Sequence, residues 1–328
     1  MTSVCRTIVR VLIITLLILG IGPFFIPIPP LENTVSPEEL ADPDSRFVDV
    51  HDVRVHYKSA GKGADTLLLL HGFGASTFTW SKVIGSLSDY YTVIAYDRTG
   101  FGLTSRPMPG EWRGENPYSA ESQADQAVAL MDTLGISKVV LIGNSAGGTI
   151  ATLIALKYPG RIKALILEGA AIFREGPPHW VCPIVNTPQV KRLGPLVIRE
   201  VREHFTGIVN KSQQLTWHDP GRQTPDIVEG YDKPYQIRNW DRALWELTLA
   251  YHPLHLEKRL HEIEVPVLVI TGDDDRIIPR EESVSIARKI PHAQLLVISD
   301  AGHLPHEETP EEFFKAVHNF INNLSTTG

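Results

Sequence analysis

The pentapeptide Gly143-Asn144-Ser145-Ala146-Gly147 sets a serine between two glycines. It follows the apolar run 138–142 directly and opens the helix-forming stretch Ala146–Lys157. A serine at a tight strand-to-helix turn is strained and has an exposed hydroxyl. Glycines are needed beside it because side chains there would collide with the neighbouring helix and strand. The helix N-terminus behind it favours developing negative charge. Taken alone the pattern is weak, since Gly and Ser at ~7% each would supply it by chance about once in ten such chains. Its place between a buried strand and a helix makes Ser145 a candidate nucleophile.

Three further segments could serve that chemistry. His71-Gly72-Phe73-Gly74 follows the apolar run Thr66–Leu70. Acyl transfer needs preset backbone N–H groups for its oxyanion, and the N–H groups of Phe73 and Ala146 are the candidates. The plain alternative is a glycine turn joining strand to helix. Thr271-Gly272-Asp273-Asp274-Asp275-Arg276 follows the run 265–270, where an orienting carboxylate belongs in an open α/β sheet. At least one of its three aspartates reads as a solvated turn residue. Finally, Ala301-Gly302-His303-Leu304-Pro305 follows the run Gln294–Ile298. Of the 13 histidines, His303 is the first to follow the last expected strand, ahead of the final helix. The order Ser, Asp, His suits a nucleophile, an orienter and a base on such a sheet.

These residues need a scaffold, and the hydropathy pattern supplies one. Residues 47–57 alternate as two antiparallel strands with a turn near His51-Asp52. Short Val-, Ile- and Leu-rich runs recur at Thr66–Leu70, Thr92–Tyr96, 138–142, 164–167, 265–270 and Gln294–Ile298. Such runs suit parallel strands buried on both faces. Helical stretches such as 120–134 and Ala146–Lys157 separate them, which implies a doubly wound, mostly parallel α/β sheet. Almost a hundred residues part the last two of these strands from the rest, too many for a structureless loop. They hold Trp180, Trp217, Trp240 and Trp245, four of the six tryptophans. Residues 174–257 are therefore expected to form an inserted, mainly helical cap. The core is expected at 46–173 and 258–328. Trp240, Leu244 and Trp245 suggest an apolar substrate pocket, although packing of the cap on itself would use them equally well.

The N-terminus departs from this text. Arg6 and Arg10 precede an apolar run over 11–28, roughly 27 Å as a helix and close to the hydrocarbon thickness of a bilayer. Residues 1–28 read as a membrane anchor and 29–45 as a proline- and acid-rich linker. Arginines before the run and acids after it place the enzyme on the extracytoplasmic side of a single-pass anchor. The rival is a signal peptide cut after Gly22, releasing a secreted protein, but Pro23 is a poor residue to follow a cut. The net charge of −7 argues against a nucleic-acid partner. The two cysteines, Cys5 and Cys182, form no framework, and no Cys/His cluster has zinc spacing.

From Phe47 onward the chain resembles the α/β-hydrolase superfamily, especially its capped esterase-like and carbon–carbon-hydrolase-like members. Asp97-Arg98-Thr99-Gly100-Phe101-Gly102 is similar to that family's Asp-Arg-x-Gly-x-Gly turn. The acid motif Gly-x-x-Asp-x-x-x-Pro falls on Gly272, Asp275 and Pro279, so the resemblance selects Asp275. The histidine motif falls on Gly302, His303, Pro305, Glu308 and Pro310, which disfavours His306. It implies acyl transfer by Ser145, His303 and Asp275, with no metal or organic cofactor. A serine nucleophile excludes the aspartate-dependent dehalogenases and epoxide hydrolases. A small-molecule carboxylic ester is the first expectation for the substrate. Carbon–carbon bond hydrolysis is the alternative, and a slow ligand sensor a third.

Overall fold

The computed structural model describes residues 3–173, 181–204 and 214–326. Its centre is one eight-stranded sheet in the order β1-β2-β4-β3-β5-β6-β7-β8. The strands are β1 Ser45–Val50, β2 Val53–Ala60, β3 Thr66–Leu70, β4 Thr92–Tyr96, β5 Val139–Asn144, β6 Ile162–Glu168, β7 Val267–Gly272 and β8 Gln294–Ile298. Strands β1 and β2 form the expected hairpin, turning at His51 with φ +51°. Strand β2 joins β4 antiparallel, and every pairing from β4 through β3 to β8 is parallel. The sequence runs thus locate all eight strands. One differs in character: Leu295 and Val297 of β8 are exposed, because β8 is an edge strand with β7 as its sole sheet neighbour.

Helices cover both faces. Ala120–Thr133, Ala146–Lys157 and Arg280–Lys289 bury Leu130, Ile154 and Ile286 against one face. Ser81–Ser88 and Pro310–Thr326 bury Val83, Leu87, Phe313 and Val317 against the other. Helix Ala146–Lys157 has no polar face to spare; Ile150, Ala151, Leu153 and Ile154 are all buried, as a helix beneath the sheet's centre requires. Between β6 and β7 the chain leaves the sheet and forms Val181–Val185, Pro188–His204, Pro225–Asp232 and Trp240–Ala250. Trp180 lies outside the described residues. Helix Ser3–Ile21 projects from the body with its apolar side chains exposed.

Asp97, just past β4, ties the hairpin to the loops that follow β3 and β4. Its Oδ1 accepts the Thr77 N–H at 2.6 Å. Its Oδ2 accepts the Leu103 N–H and His56 Nδ1, each at 2.7 Å. Gly102 has φ +50°, and a Cβ there would lie 1.9 Å from the Asp97 carboxyl carbon, so the turn closes only around glycine. Burial pushes the carboxyl up, but the His56 charge and these hydrogen bonds outweigh it and hold Asp97 at about 2. Because the folded value lies below the unfolded one of ~3.9, the stabilisation is complete above that pH and is lost as pH falls through about 2. Asp97→Asn should therefore lose on the order of 2 kcal/mol at neutral pH. Urea unfolding should show that gap closing on acidification below pH ~4; a gap independent of pH would refute the ionic account.

Candidate active site

Ser145 follows β5 directly with φ +53° and ψ −121°, a conformation an L-residue holds only under constraint. The constraint is visible. The Ser145 N–H donates to Glu168 O at 2.9 Å, and its carbonyl accepts the N–H groups of Gly148 at 2.9 Å and Ala171 at 3.1 Å. A Cβ on Gly143 would meet Gly147 O at 2.6 Å, and one on Gly147 would meet Leu70 O at 2.2 Å. The flanking glycines therefore let helix Ala146–Lys157 pack against β5 and β3 at backbone distance.

His303 is buried beside the elbow. Its backbone N–H donates to Thr216 O at 2.7 Å, and its carbonyl accepts Asn144 Nδ2 at 3.2 Å. Its Nδ1 lies 2.8 Å from Asp275 Oδ2. Asp275 Oδ1 accepts the N–H groups of Ile277 and Ile278 at 2.9 and 2.8 Å, which fixes the carboxylate and turns its second oxygen to the imidazole. With Nδ1–H donating to that oxygen, Nε2 is the free basic nitrogen. Gly169 leaves room for the pair, since a Cβ there would stand 3.0 Å from both Asp275 Oδ2 and His303 Nδ1. The other two aspartates are elsewhere. Asp273 is exposed, and Asp274 pairs with Arg276 and, at 2.9 Å, with His218. The Arg276 hydrogen bond holds the Asp274 carboxyl below the usual range, with His218 adding to it against a small burial penalty.

The loop His71–Gly74 lies against the elbow: a Cβ on Gly72 would meet Ser145 Cβ at 3.1 Å. Burial and the Arg98 charge hold His71 at about 3, so its ring is neutral near pH 7. The ring donates Nδ1–H to Gly72 O at 2.8 Å and accepts the Arg98 N–H on Nε2 at 3.0 Å. The Arg98 guanidinium takes His71 O and Gly72 O, both at 3.1 Å, and Gln123 Oε1 at 2.8 Å. Two carbonyls of the loop are thereby committed to one buried cation. Sequence reasoning had Arg98 in a motif but gave it no role; Gln123 carried no local signal. Glu308, also a motif residue, accepts the N–H of Gly302 at 2.6 Å and that of His218 at 2.9 Å, which fixes the histidine loop.

A cavity of about 400 Å³ opens beside these groups, with Phe73 and Ala146 in its wall. Ile150, Ile172, Leu247 and Leu254 make much of the rest. Trp240, Leu244 and Trp245, expected at a substrate pocket, are not in its wall. Trp240 and Leu244 line a separate void of about 20 Å³ beside Arg106. Trp245 packs over Gly194, where a Cβ would meet its ring at 1.9 Å. Helix Trp240–Ala250 turns that face to helix Pro188–His204 and gives the cavity Leu247, Thr248 and Ala250 instead.

If the dyad works as built, Asp275→Asn should slow fluorophosphonate labelling of Ser145 and cut kcat by ~10⁴, as for the triad aspartate of a serine protease. Asp274→Asn should leave both near wild type. Damage from Asp274→Asn with Asp275→Asn silent would overturn the assignment.

Comparison with known proteins agrees with this architecture. A family model described as the alpha/beta hydrolase fold matches residues 65–310. The chain is 28% identical over 302 residues to a 2-hydroxy-6-oxononadienedioate/2-hydroxy-6-oxononatrienedioate hydrolase of Paraburkholderia phymatum, covering 89% of this chain and 99% of that protein. It is 28% identical over 266 residues to Lipase 1 of Psychrobacter immobilis, covering 80% and 78%. Among solved structures, a thermophilic esterase from Thermogutta terrifontis superposes with a TM-score of 0.67 at 28% identity, over 85% of this chain and 99% of that one. With more than half its length matched to the family model, the chain belongs to the α/β-hydrolase fold family, and it is a hydrolase.

Proposed function

We propose that this hydrolase cleaves carboxylic esters of small-to-medium apolar acids, with Ser145 as nucleophile, His303 as general base and acid, and Asp275 as orienter. His303 Nε2 takes the Ser145 proton as the hydroxyl oxygen attacks the ester carbonyl. The oxyanion forms against the N–H groups of Phe73 and Ala146. Collapse expels the alcohol, which takes the proton from His303. Water, deprotonated by His303, then attacks the acyl-enzyme and releases the acid, returning the proton to Ser145.

The observation that carries the ester reading is the charge of the 400 Å³ cavity. The relative from Paraburkholderia is named for a dioate, a substrate with two carboxylates. Among the described residues, the cationic or ionisable nitrogen side chains of this wall are Arg98, His252 and His255. Arg98 is spent on His71 O, Gly72 O and Gln123. His252 is 2.8 Å from Glu121, and His255 is 3.7 Å from Glu257. A dianion entering this apolar wall would leave a carboxylate without a dedicated partner, which is costly; a neutral ester would not. The likeness to carbon–carbon hydrolases over 89% of the chain keeps that activity as the second reading. An ester panel run beside a vinylogous diketone dioate decides between them. Turnover of p-nitrophenyl esters, lost in Ser145→Ala, is expected; preference for the dioate would reverse the ranking. Labelling of Ser145 without repeated turnover would favour a ligand sensor.

In the same reading residues 1–28 anchor the enzyme, 29–45 link it, and 174–257 cap the core formed by 46–173 and 258–328. Residues Val4–Phe25 have a mean hydropathy of 2.5 and none of that span is buried. The end of this stretch is held by the insertion. Gln189 donates to Gly20 O at 2.8 Å, Arg192 to Pro23 O at 3.2 Å and Ile26 O at 3.0 Å, and Arg199 to Pro29 O at 2.7 Å. The bonds to Pro23, Ile26 and Pro29 would survive a cut after Gly22, so it is the Gln189 bond to Gly20 that favours a retained anchor over a discarded leader. Membranes from cells expressing the full chain should keep it through alkaline extraction, with residues 1–22 present by mass spectrometry. Release to the supernatant, or a mature N-terminus at Pro23, would refute the anchor.

A further inference from the structure

Beneath the catalytic loop lies a second group of titratable side chains that the reaction above does not use. His306 is fully buried on the short helix Pro305–Glu308, three residues past His303. Its Nδ1 is 2.7 Å from Glu168 Oε2, and its backbone N–H donates to Glu168 Oε1 at 3.0 Å. Its Nε2 is 2.8 Å from Thr79 Oγ1, which donates to Glu307 Oε1 at 2.5 Å. Tyr231, from helix Pro225–Asp232 of the insertion, donates to the same Glu307 oxygen and lies 2.9 Å from Thr79 Oγ1. We propose that His306, with Glu168 and Glu307, is a positioning residue for hydrolysis: it sets the place of His303 relative to Ser145 and couples both to the insertion through Tyr231. This rests on the hydrolytic reading of Ser145.

The geometry closes a ring. Glu168 is the last residue of β6, and its carbonyl accepts the Ser145 N–H at 2.9 Å. Its carboxylate grips His306 twice, by ring and by backbone. Two residues of chain separate His306 from His303, whose carbonyl returns to Asn144 Nδ2, next to Ser145. Nucleophile and base are therefore joined by a short circuit of covalent and hydrogen bonds, and Glu168–His306 is its side-chain link. A shift of that link moves one reacting group against the other.

Proton bookkeeping identifies the species. Thr79 has one O–H, given to Glu307, so towards Nε2 its oxygen accepts. Nδ1 faces the Glu168 carboxylate. With Glu307 ionised, both ring nitrogens donate and His306 is an imidazolium. Burial pushes His306 down, but the charge and hydrogen bond of Glu168, with Glu307 behind them, raise it above the ordinary histidine range. Burial pushes the Glu307 carboxyl up, against His306, Thr79, Tyr231 and the charge of Lys82. Burial and the Glu307 carboxylate likewise hold the Tyr231 phenol well above its usual range, so it stays a donor. Trp80 covers the ring, with centroids 4.3 Å apart. Apolar side chains could fill this volume with comparable stability, because buried ion pairs rarely outperform well-packed hydrophobes. What the charged version adds is one enforced geometry.

The test uses the full-length protein in detergent and the variants His306→Asn and Tyr231→Phe, with Leu130→Ala, on the opposite face of the sheet, as a core control. Three quantities are read: the fluorophosphonate labelling rate of Ser145, kcat against KM for a p-nitrophenyl ester, and Tm. In His306→Asn, labelling rate and kcat should fall together by about tenfold or more with KM nearly unchanged, approaching the ~100-fold that a 1 Å misplacement can cost. Tyr231→Phe, which removes one donor and keeps the ring, should show a smaller loss of the same kind. Leu130→Ala should lower Tm and leave kcat alone. Wild-type labelling and kcat in both network variants would overturn the proposal, as would a loss no greater than the control's at equal Tm. If His306→Asn does not fold, Tyr231→Phe decides alone. A wild-type protein that labels but does not turn over esters would sink the ester reading, while the labelling series still decides this one.

Discussion

A serine held at φ +53° is the constraint on which the rest of this molecule depends. The conformation is unfavourable for a residue with a Cβ and persists only where its surroundings over-determine it. Here the parallel register of β5 and β6, which sets Asn144 opposite Glu168, delivers the Glu168 carbonyl to the Ser145 N–H. The carbonyl of Ser145 is taken by Gly148 and Ala171, one from the helix it starts and one from the chain after β6. Every clamp on the elbow thus belongs to a strand end or its immediate continuation. Chemistry gathers at this edge of the sheet because here the backbone can be held by pieces of the fold that cannot move independently.

The polar interior extends the same logic away from the serine. Asp97 fixes the turn after β4 through two N–H groups and His56. Its neighbour Arg98 holds the carbonyls of His71 and Gly72. A buried guanidinium is tolerable only if its donors are spent, and spending them on two consecutive carbonyls also fixes the loop that faces Ser145. Burial lowers Arg98 to about 10, still far above neutrality, so the clamp is charged under all ordinary conditions. On the opposite side, Glu308 and Asp275 use N–H groups of nearby loops as partners. Asp97, Asp275 and Glu308 each spend at least one oxygen on backbone, and each therefore locks a loop as well as a charge.

What could be read from the sequence follows from range. The strands announce themselves because burial on both faces demands continuous Val, Ile and Leu, and Ser145 because glycines must flank it. The choice of Asp275 needed the motif spacing as well; the structure adds the reason, two N–H groups at Ile277 and Ile278 that turn one oxygen toward His303. Contacts distant in sequence left no local trace. Glu168 and His306 are 138 positions apart, and Thr79 and Glu307 are 228 apart. Trp240, Leu244 and Trp245 left two readings open because large apolar residues report burial without saying against what. The helix could have turned either face to the cavity, and the packing of Gly194 beneath Trp245 decided it.

That same helix is also linked to the segment that follows helix Ser3–Ile21. Arg199 donates through Nε to buried Asp241, at 2.7 Å, and through Nη1 to Pro29 O. Asp241 stands in the first turn of Trp240–Ala250, and the far end of that helix supplies Leu247, Thr248 and Ala250 to the cavity wall. A side chain buried with its partner is expensive to displace, since either ion left alone would bear the full desolvation cost. The segment after helix Ser3–Ile21, helix Pro188–His204 and the wall of the cavity are therefore joined through one buried ion pair and its backbone contact. The Ser145 elbow is held by other pieces of the fold, the carbonyl of Glu168 and the N–H groups of Gly148 and Ala171. The cavity wall and Ser145 thus rest on separate sets of contacts.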